Sequence, residues 1–489
     1  MGQISSATGT PESPRDGYVA FAKRDCPTCL LVAPVLGEVA RRAGPLLVYS
    51  QDDPTFPEGL APVDDHALEA SFRHDIETVP TLIRFADGKE IARTVGWDRA
   101  EWERVTGQTG LGAGLAAFQP GCGSKSRDPG VHERLIARFG NPGIVSRAVT
   151  LDEWADEVEA CFDRGWSDGL PVIPPTDERI LRMLQGTTRR PDEIVGDIPP
   201  NLASCTVEKI AINAVMAGCK PEYMPVVLAA VEAALDPVFT MHGLLCTTCF
   251  SGPVIVVNGP VTRAIGMNSG INVLGQGNRA NLTIGRALQM VVRNVGGGKP
   301  GEIDRATFGW PGKIGCCFPE DESDPAWQPL AQSRGVPAGR SAVTLFQAYG
   351  VQGCIDQRSR APEELARSLA LSLCAVGHPR IVETMIAVLL LSPEHHAIFR
   401  DAGWDRARIE DALYEALLRP GADIARGVGG VPEGVDPARA GEMVAKFRRG
   451  GLSIVRAGGS AGQWSAILSG WPGTRHPDQT RPVTREIGT

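Results

Sequence analysis

The sequence has no surplus of positive charge. Its 49 Lys and Arg face 57 Asp and Glu, a formal net charge of −8 at pH 7. Such a chain offers no basic field to a nucleic acid or to an anionic membrane surface. It also lacks a long apolar run: even Ile386-Ala-Val-Leu-Leu-Leu391 falls far short of the roughly 20 residues a helical membrane span requires. The opening residues, Met1 to Asp16, are polar and rich in Ser, Pro and Gly rather than basic and then apolar, so a cytoplasmic location is expected. No Walker motif, Ser/His/Asp arrangement or internal repeat stands out, so the usual signatures of P-loop nucleotide binding and triad hydrolysis are missing.

Cysteine, by contrast, is abundant, with 12 among 489 residues. In a reducing compartment such thiols are catalytic, metal-binding or buried rather than structural disulfides. The length allows two or three domains, and 43% hydrophobic with 22% charged residues is ordinary for a globular protein.

The most informative stretch is Asp25-Cys26-Pro-Thr-Cys29. Tyr18 to Phe21 reads as a short buried strand leading to it, and Leu30 to Arg42 as the helix that follows. A cysteine at a helix start meets the positive end of the macrodipole and unpaired N–H groups, both of which favour the thiolate. Cys26 is therefore expected to have a lowered pKa and to attack, with Cys29 resolving the mixed disulfide. Pro45 to Tyr49 reads as a second strand and Ala67 to His74 as a helix. Val79 to Phe85 is a strand beginning at Val79-Pro80-Thr81, Asp87-Gly88 a hairpin turn, Glu90 to Gly96 its return, and Arg99 to Val105 a closing helix.

With its C-x-x-C, Pro34 five residues after Cys29, and Val79-Pro80-Thr81, this region resembles a thioredoxin over roughly 90 residues. The resemblance implies a thioredoxin fold and a cis Pro80 facing the thiols, turning a backbone edge toward an extended substrate. The tryptophan usual before the first cysteine is replaced by Arg24-Asp25.

Residues 1–14 are expected to be a flexible terminus, 15–108 the thioredoxin-like domain, 109–150 a Gly-rich junction and 151–489 a large domain. In the junction, Gly121 and Gly123 would expose Cys122, and Lys125 and Arg127 would stabilise its thiolate. Cys122 thus reads as an internal client of Cys26, or as an idle loop thiol.

In the large domain, helices are expected at Leu151 to Arg164, Asp177 to Leu184 (N-capped by Thr176), Thr206 to Ala217, Pro221 to Leu235, Ala280 to Val295, Glu363 to Val376, Val382 to Ala397 and Asp405 to Leu418. Strands are expected at Val254 to Asn258, Lys313 to Phe318, Ala342 to Phe346 and Leu452 to Val455. The alternation gives the fold class: α/β, an N-terminal thioredoxin fold followed by a larger mixed α/β domain.

His242-x3-Cys246-x2-Cys249 is the densest thiol group here. Cys246 and Cys249 read either as a redox dithiol or as inert thiols. A third reading has them take Zn or Cu with His242, Cys316 or Cys317. Asn258, Asn268, Asn278, Arg279 and Arg286, with Asp168 nearby, are candidates for a substrate site. Arg279 and Arg286 share a helix face and could hold a carboxylate. His395 and His396 are expected on the surface.

The runs Gly252-Pro-Val-Ile-Val-Val-Asn-Gly-Pro260, Gly275-Gln-Gly-Asn-Arg279-Ala-Asn281 and Thr283-Ile-Gly-Arg286-Ala resemble the UGSC-type selenoproteins and their cysteine homologues. Pro120-Gly-Cys122-Gly-Ser124 and Gly458-Gly459-Ser-Ala-Gly462 fit the same pattern, although no x-Gly-Ser-Cys occurs. The resemblance implies a chemically active cysteine or selenocysteine. The expected function is a thiol-dependent oxidoreductase or thiol-transfer enzyme. Its C-x-x-C module would exchange electrons with Cys122 or Cys246/Cys249, while the larger domain binds a small anionic substrate. This reading needs no cofactor and takes a cellular thiol as reductant. It involves no nucleic acid or membrane and leaves homo-oligomerisation open. The alternatives are a cysteine-ligated Zn or Cu lyase or hydrolase whose module keeps the ligands reduced, and a non-enzymatic disulfide chaperone.

Overall fold

The structure, a computed structural model, describes residues 14–140, 143–152, 154–471 and 482–488. All but the last residue of the expected flexible terminus lies outside these. The chain forms two compact units, Met1–Pro142 and Gly143–Thr489. The architecture is mixed α/β, a thioredoxin fold followed by a larger α/β unit.

In the first unit, β1 (Gly17–Ala22) leads into α1 (Pro27–Arg42), β2 (Leu46–Ser50), β3 (Val63–Asp64), α2 (Glu69–Arg73) and the two-residue β4 (Thr78–Val79). Then come β5 (Thr81–Ala86), β6 (Lys89–Val95), β7 (Trp97–Asp98) and α3 (Arg99–Thr106). The main sheet has the order β3-β2-β1-β5-β6, with β1, β2 and β3 parallel and β5 and β6 antiparallel. The β5–β6 hairpin turns through Asp87 and Gly88, both at positive φ (49° and 73°), as a tight hairpin requires. One core face gathers Val32, Val35, Leu36, Leu82, Trp97 and Trp102, and the other holds Phe21, Phe56, Ile83 and both thiols of the C-x-x-C.

Residues 109–150, expected to be a junction, divide between the units. Their first part folds back as β8 (Phe118–Gln119), β9 (Cys122–Gly123) and α4 (Val131–Phe139). β8 pairs with β7 and β9 with β4. A Gly-rich composition did not foretell this, because the docking combines backbone hydrogen bonds with only a few apolar anchors, Leu111 and Leu115 among them.

The second unit has two four-stranded sheets. One runs Cys317–Pro319, Gly252–Asn258, Ala342–Ala348, Val483–Glu486, and the other Gly350–Ile355, Trp464–Gly470, Ile386–Leu391, Leu452–Arg456. Alternate residues sort the faces. Val254, Val256, Phe346, Val388 and Leu390 form a cluster between the sheets. Ile255, Val257, Val343 and Leu345 pack beneath the helices Val207–Ala217, Met224–Leu235 and Arg279–Asn294. Leu389, Leu391 and Ile454 pack against Pro362–Cys374 and Arg406–Ala416. The layers are helix, sheet, sheet, helix.

This layering explains the main error in the sequence reading. Ile386–Leu391, read as helix, is a strand buried on every residue and flanked by strands on both sides. A strand covered on two faces loses its alternation and looks like any apolar run. The helix expected at Leu151 begins only at Glu157, N-capped by the Asp156 carboxylate, and Trp154 before it is 92% exposed with no core to hold a further turn. The strand expected at Lys313 to Phe318 is shorter, Cys317–Pro319. Thr176 caps its helix as expected, accepting the N–H of Arg179, and Thr206, read as the first helical residue, is instead the N-cap of Val207–Ala217, accepting the N–H of Lys209.

Candidate active site

Strand β1 is apolar along its whole length, so it runs through the core and delivers the chain to Cys26 at the sheet edge. Pro27 starts α1, where its missing N–H does no harm. Cys26 is the N-cap, and its Sγ accepts the N–H of Cys29 at 3.3 Å. Arg41 and Arg42 in the last turn complement the other end of the dipole. In place of the usual tryptophan, the Arg24 and Asp25 N–H groups are held by the Asp52 carboxylate at 2.7 and 3.0 Å. The Arg24 guanidinium pairs with Asp53 and with Glu58.

The Val79–Pro80 peptide is cis. It lies beside the thiols, with the Val79 carbonyl oxygen 3.6 Å from Cys26 Sγ. The opposite edge of β4 is taken by the chain itself. In the antiparallel β4–β9 ladder Val79 faces Cys122 and Thr78 faces Gly123. Thr28 Oγ1 donates to the Pro120 carbonyl at 2.6 Å, and Ser124 N–H to that of Glu77 at 2.9 Å. Beyond the strand, Gln51 Nε2 donates to both Ser71 Oγ and Ser124 Oγ at 2.7 Å, and Ser126 Oγ to the Ile76 carbonyl at 2.6 Å. Gly121 is required for close approach. A Cβ there would sit 2.4 Å from Thr78 Cγ2 and 2.8 Å from the Val79 oxygen.

Three thiols therefore converge. Cys26 and Cys29 are 0% exposed, and Cys122 is half-buried against their cluster. The Cys26 pKa is lowered to about 5. The main cause is the Cys29 thiol hydrogen-bonded to its sulfur, helped by Cys122 and the Cys29 and Thr28 N–H groups and opposed by burial. Burial and the neighbouring Cys26 sulfur push Cys29 far above its ordinary value, and the same two causes raise Cys122. One buried thiolate is thus shared by two thiol donors. Lys125 and Arg127 do not serve Cys122: Lys125 Nζ lies 4.0 Å from Asp52, and Arg127 pairs with Asp75 and Glu77. The cation acting on Cys122 is Lys23, which sequence reading missed.

The candidates in the large unit have different surroundings. Cys246 is exposed at the end of the short helix Met241–Cys246, and Cys249 is half-buried with Sγ 3.6 Å from Ser251 Oγ. His242 is exposed. Burial pushes Cys316 up to about 12 and Cys317 well above its ordinary value, whereas a metal needs thiolates. Among the described residues no three His, Cys, Asp or Glu side chains gather as a metal group, so this set does not fit Zn or Cu. Cys205 and Cys219, both pushed up to about 12, are core thiols.

The expected carboxylate clamp is an internal one. Arg286 makes a two-pronged pair with Asp168 of the same chain at 2.8 and 2.7 Å, and Arg279 donates to the Gly218 and Cys219 carbonyls. Asn278 caps Arg279–Asn294, and Asn268 closes a turn onto Gly270 and Ile271. Buried Asn258 donates to Glu320 and Glu322 at 2.7 and 2.8 Å. His395 and His396 are buried rather than on the surface. His395 lies between Ser465 Oγ and the Asp356 carbonyl, and burial lowers His396 to about 4.

No family model matches the chain, so the resemblance to UGSC-type proteins gains no support. A thioredoxin from Chlamydia caviae is 32% identical over 78 residues, 16% of this chain and 66% of that protein's length. The N-terminal region is thus thioredoxin-like, a likeness that leaves the remaining four-fifths of the chain unassigned.

Proposed function

We propose that the module performs thiol–disulfide exchange inside the chain, with Cys122 as its fixed client and its port to the outside. The carrying observation is the β9 strand, which lies on the Val79 edge and covers a fully buried Cys26. An external disulfide can reach Cys122 but not Cys26.

Starting from Cys122 joined in a mixed disulfide to an external thiol, the Cys26 thiolate attacks Cys122 Sγ. The external thiolate leaves and takes up a proton. With the Cys26 negative charge gone, one cause of the raised Cys29 pKa is removed. Cys29 then gives up its proton and attacks Cys26 Sγ, and the departing Cys122 thiolate takes up a proton. The products are a Cys26–Cys29 disulfide, a free Cys122 thiol and one released thiol. Two equivalents of a cellular thiol reductant restore the dithiol. The exposed Cys246 and its neighbour Cys249 are a second client under the same reading.

Cys29→Ser tests this, since it removes the resolving thiol. Mild oxidation of that variant should give a Cys26–Cys122 disulfide on peptide mapping by mass spectrometry. If no such link forms at any redox poise, the relay is wrong.

A further inference from the structure

The large unit contains a cavity of about 1020 Å³ that the thiol chemistry does not use. It is walled by the helices Val207–Ala217 and Arg279–Asn294, by Trp166 and the Pro174–Asp177 stretch, and by an extended stretch from residue 144 to 152. The volume suits a small organic ligand. Ile180, Ile212, Met216, Val295 and Trp166 supply apolar lining.

Both flanking stretches are fastened by charged side chains. The Glu208 carboxylate, 0% exposed, accepts the N–H groups of Val145 and Ser146 at 3.0 and 2.9 Å. Arg286 holds Asp168 together with the Leu170 and Pro171 carbonyls.

Charge is unevenly spread over the wall. Asp152, Glu157 and Asp177 are exposed, and Glu157 already lies 3.9 Å from Arg179. The half-buried charges on the lining are both cationic, Lys209 and Lys299. Lys209 Nζ gives one hydrogen bond, to the Ser204 carbonyl at 2.6 Å, and keeps further donors free. Lys299 has no ion-pair partner among the described residues. A partly dehydrated ammonium without a counter-ion favours an incoming anion.

We infer that this cavity binds an apolar organic acid, its hydrocarbon or aromatic body over Ile212, Met216 and Trp166 and its carboxylate neutralised by Lys299 and Lys209. The site differs from the Asn258–Arg286 stretch, where Arg286 is paired with Asp168 and Arg279 donates to the Gly218 and Cys219 carbonyls. Titration calorimetry on the full-length protein, with decanoate, decanol and decyltrimethylammonium as probes, tests it. Decanoate should bind about tenfold tighter than decanol, the worth of one favourable charge contact. Lys299→Glu should remove that advantage, leave decanol unchanged and improve the cation. Ile212→Trp, with its fold checked by circular dichroism, should abolish binding of all three by filling the cavity. Equal binding of decanoate and decanol, no binding of decanoate, or a decanoate affinity indifferent to Lys299→Glu overturns the inference.

Discussion

Cys26 combines two properties that usually exclude one another: it is fully buried, yet its thiolate is favoured at neutral pH. Burial alone would raise the pKa. The reversal comes from donors placed around one sulfur, namely the thiols of Cys29 and Cys122 and two N–H groups at the start of α1. The sign of the pH dependence follows. A folded pKa near 5 against an unfolded value of about 8.5 contributes stability that is fully present above the unfolded pKa and lost as pH falls toward 5. Cys29 and Cys122, both raised, act oppositely, and their contribution fades above the unfolded pKa of about 8.5. Thermal melts of the reduced protein should show stability rising from pH 5 toward 8 and declining beyond. In Cys26→Ser the rising limb should flatten, and the thiolate absorbance that titrates near pH 5 should vanish. A rising limb unchanged in Cys26→Ser would mean that the donors do not act on this sulfur.

Among the elements, β9 decides what the module can reach. Its attachment is mostly backbone, with Gly121 allowing the close approach to Thr78 and Val79. Gly121→Val should cost roughly 1–3 kcal/mol through overpacking and lift the strand from β4. The readout is iodoacetamide labelling. Cys26 should pass from protected to reactive, and the Cys26–Cys122 link should no longer form in the Cys29→Ser background. Thr28→Val removes the hydrogen bond to the Pro120 carbonyl and leaves that carbonyl unsatisfied, a milder loss of about 1 kcal/mol with partial labelling. Protection that persists in Gly121→Val would show that something other than this strand shields the thiol.

At the scale of the whole molecule, the large unit is joined across its layers by a buried ionic centre. Glu320, just past the strand Cys317–Pro319, accepts from Asn258, Trp327 Nε1, the Leu330 N–H and Arg406. Arg406 stacks over Trp327 at 4.3 Å and also donates to the Ile454 carbonyl. The cluster thereby links both sheets and a covering helix. Arg406→Met leaves Glu320 as an unpaired buried charge and should cost about 3–5 kcal/mol, whereas Arg406→Met with Glu320→Gln should recover part of the loss. Urea unfolding followed by tryptophan fluorescence measures both variants. A double variant less stable than the single one would refute the account.

Local chemistry was legible in the sequence where few neighbours determine it. A cysteine ahead of Pro27 and a helix implied an N-cap thiolate, Asp87-Gly88 implied a tight hairpin, and Thr176 implied a cap; each depends on backbone geometry within about four residues. Tertiary structure decided whatever depends on which surfaces meet. It made Ile386–Leu391 a strand by burying both of its faces, turned Arg286 to Asp168 more than a hundred residues away, and set His395 and His396 inside the core. It also altered the meaning of the C-x-x-C. The motif by itself names an attacking thiol and a resolving one, but Cys122 lies roughly ninety residues further along and becomes the third member of the site only through the β4–β9 ladder. Backbone pairing carries no side-chain signature, so no spacing rule could have brought those three sulfurs together.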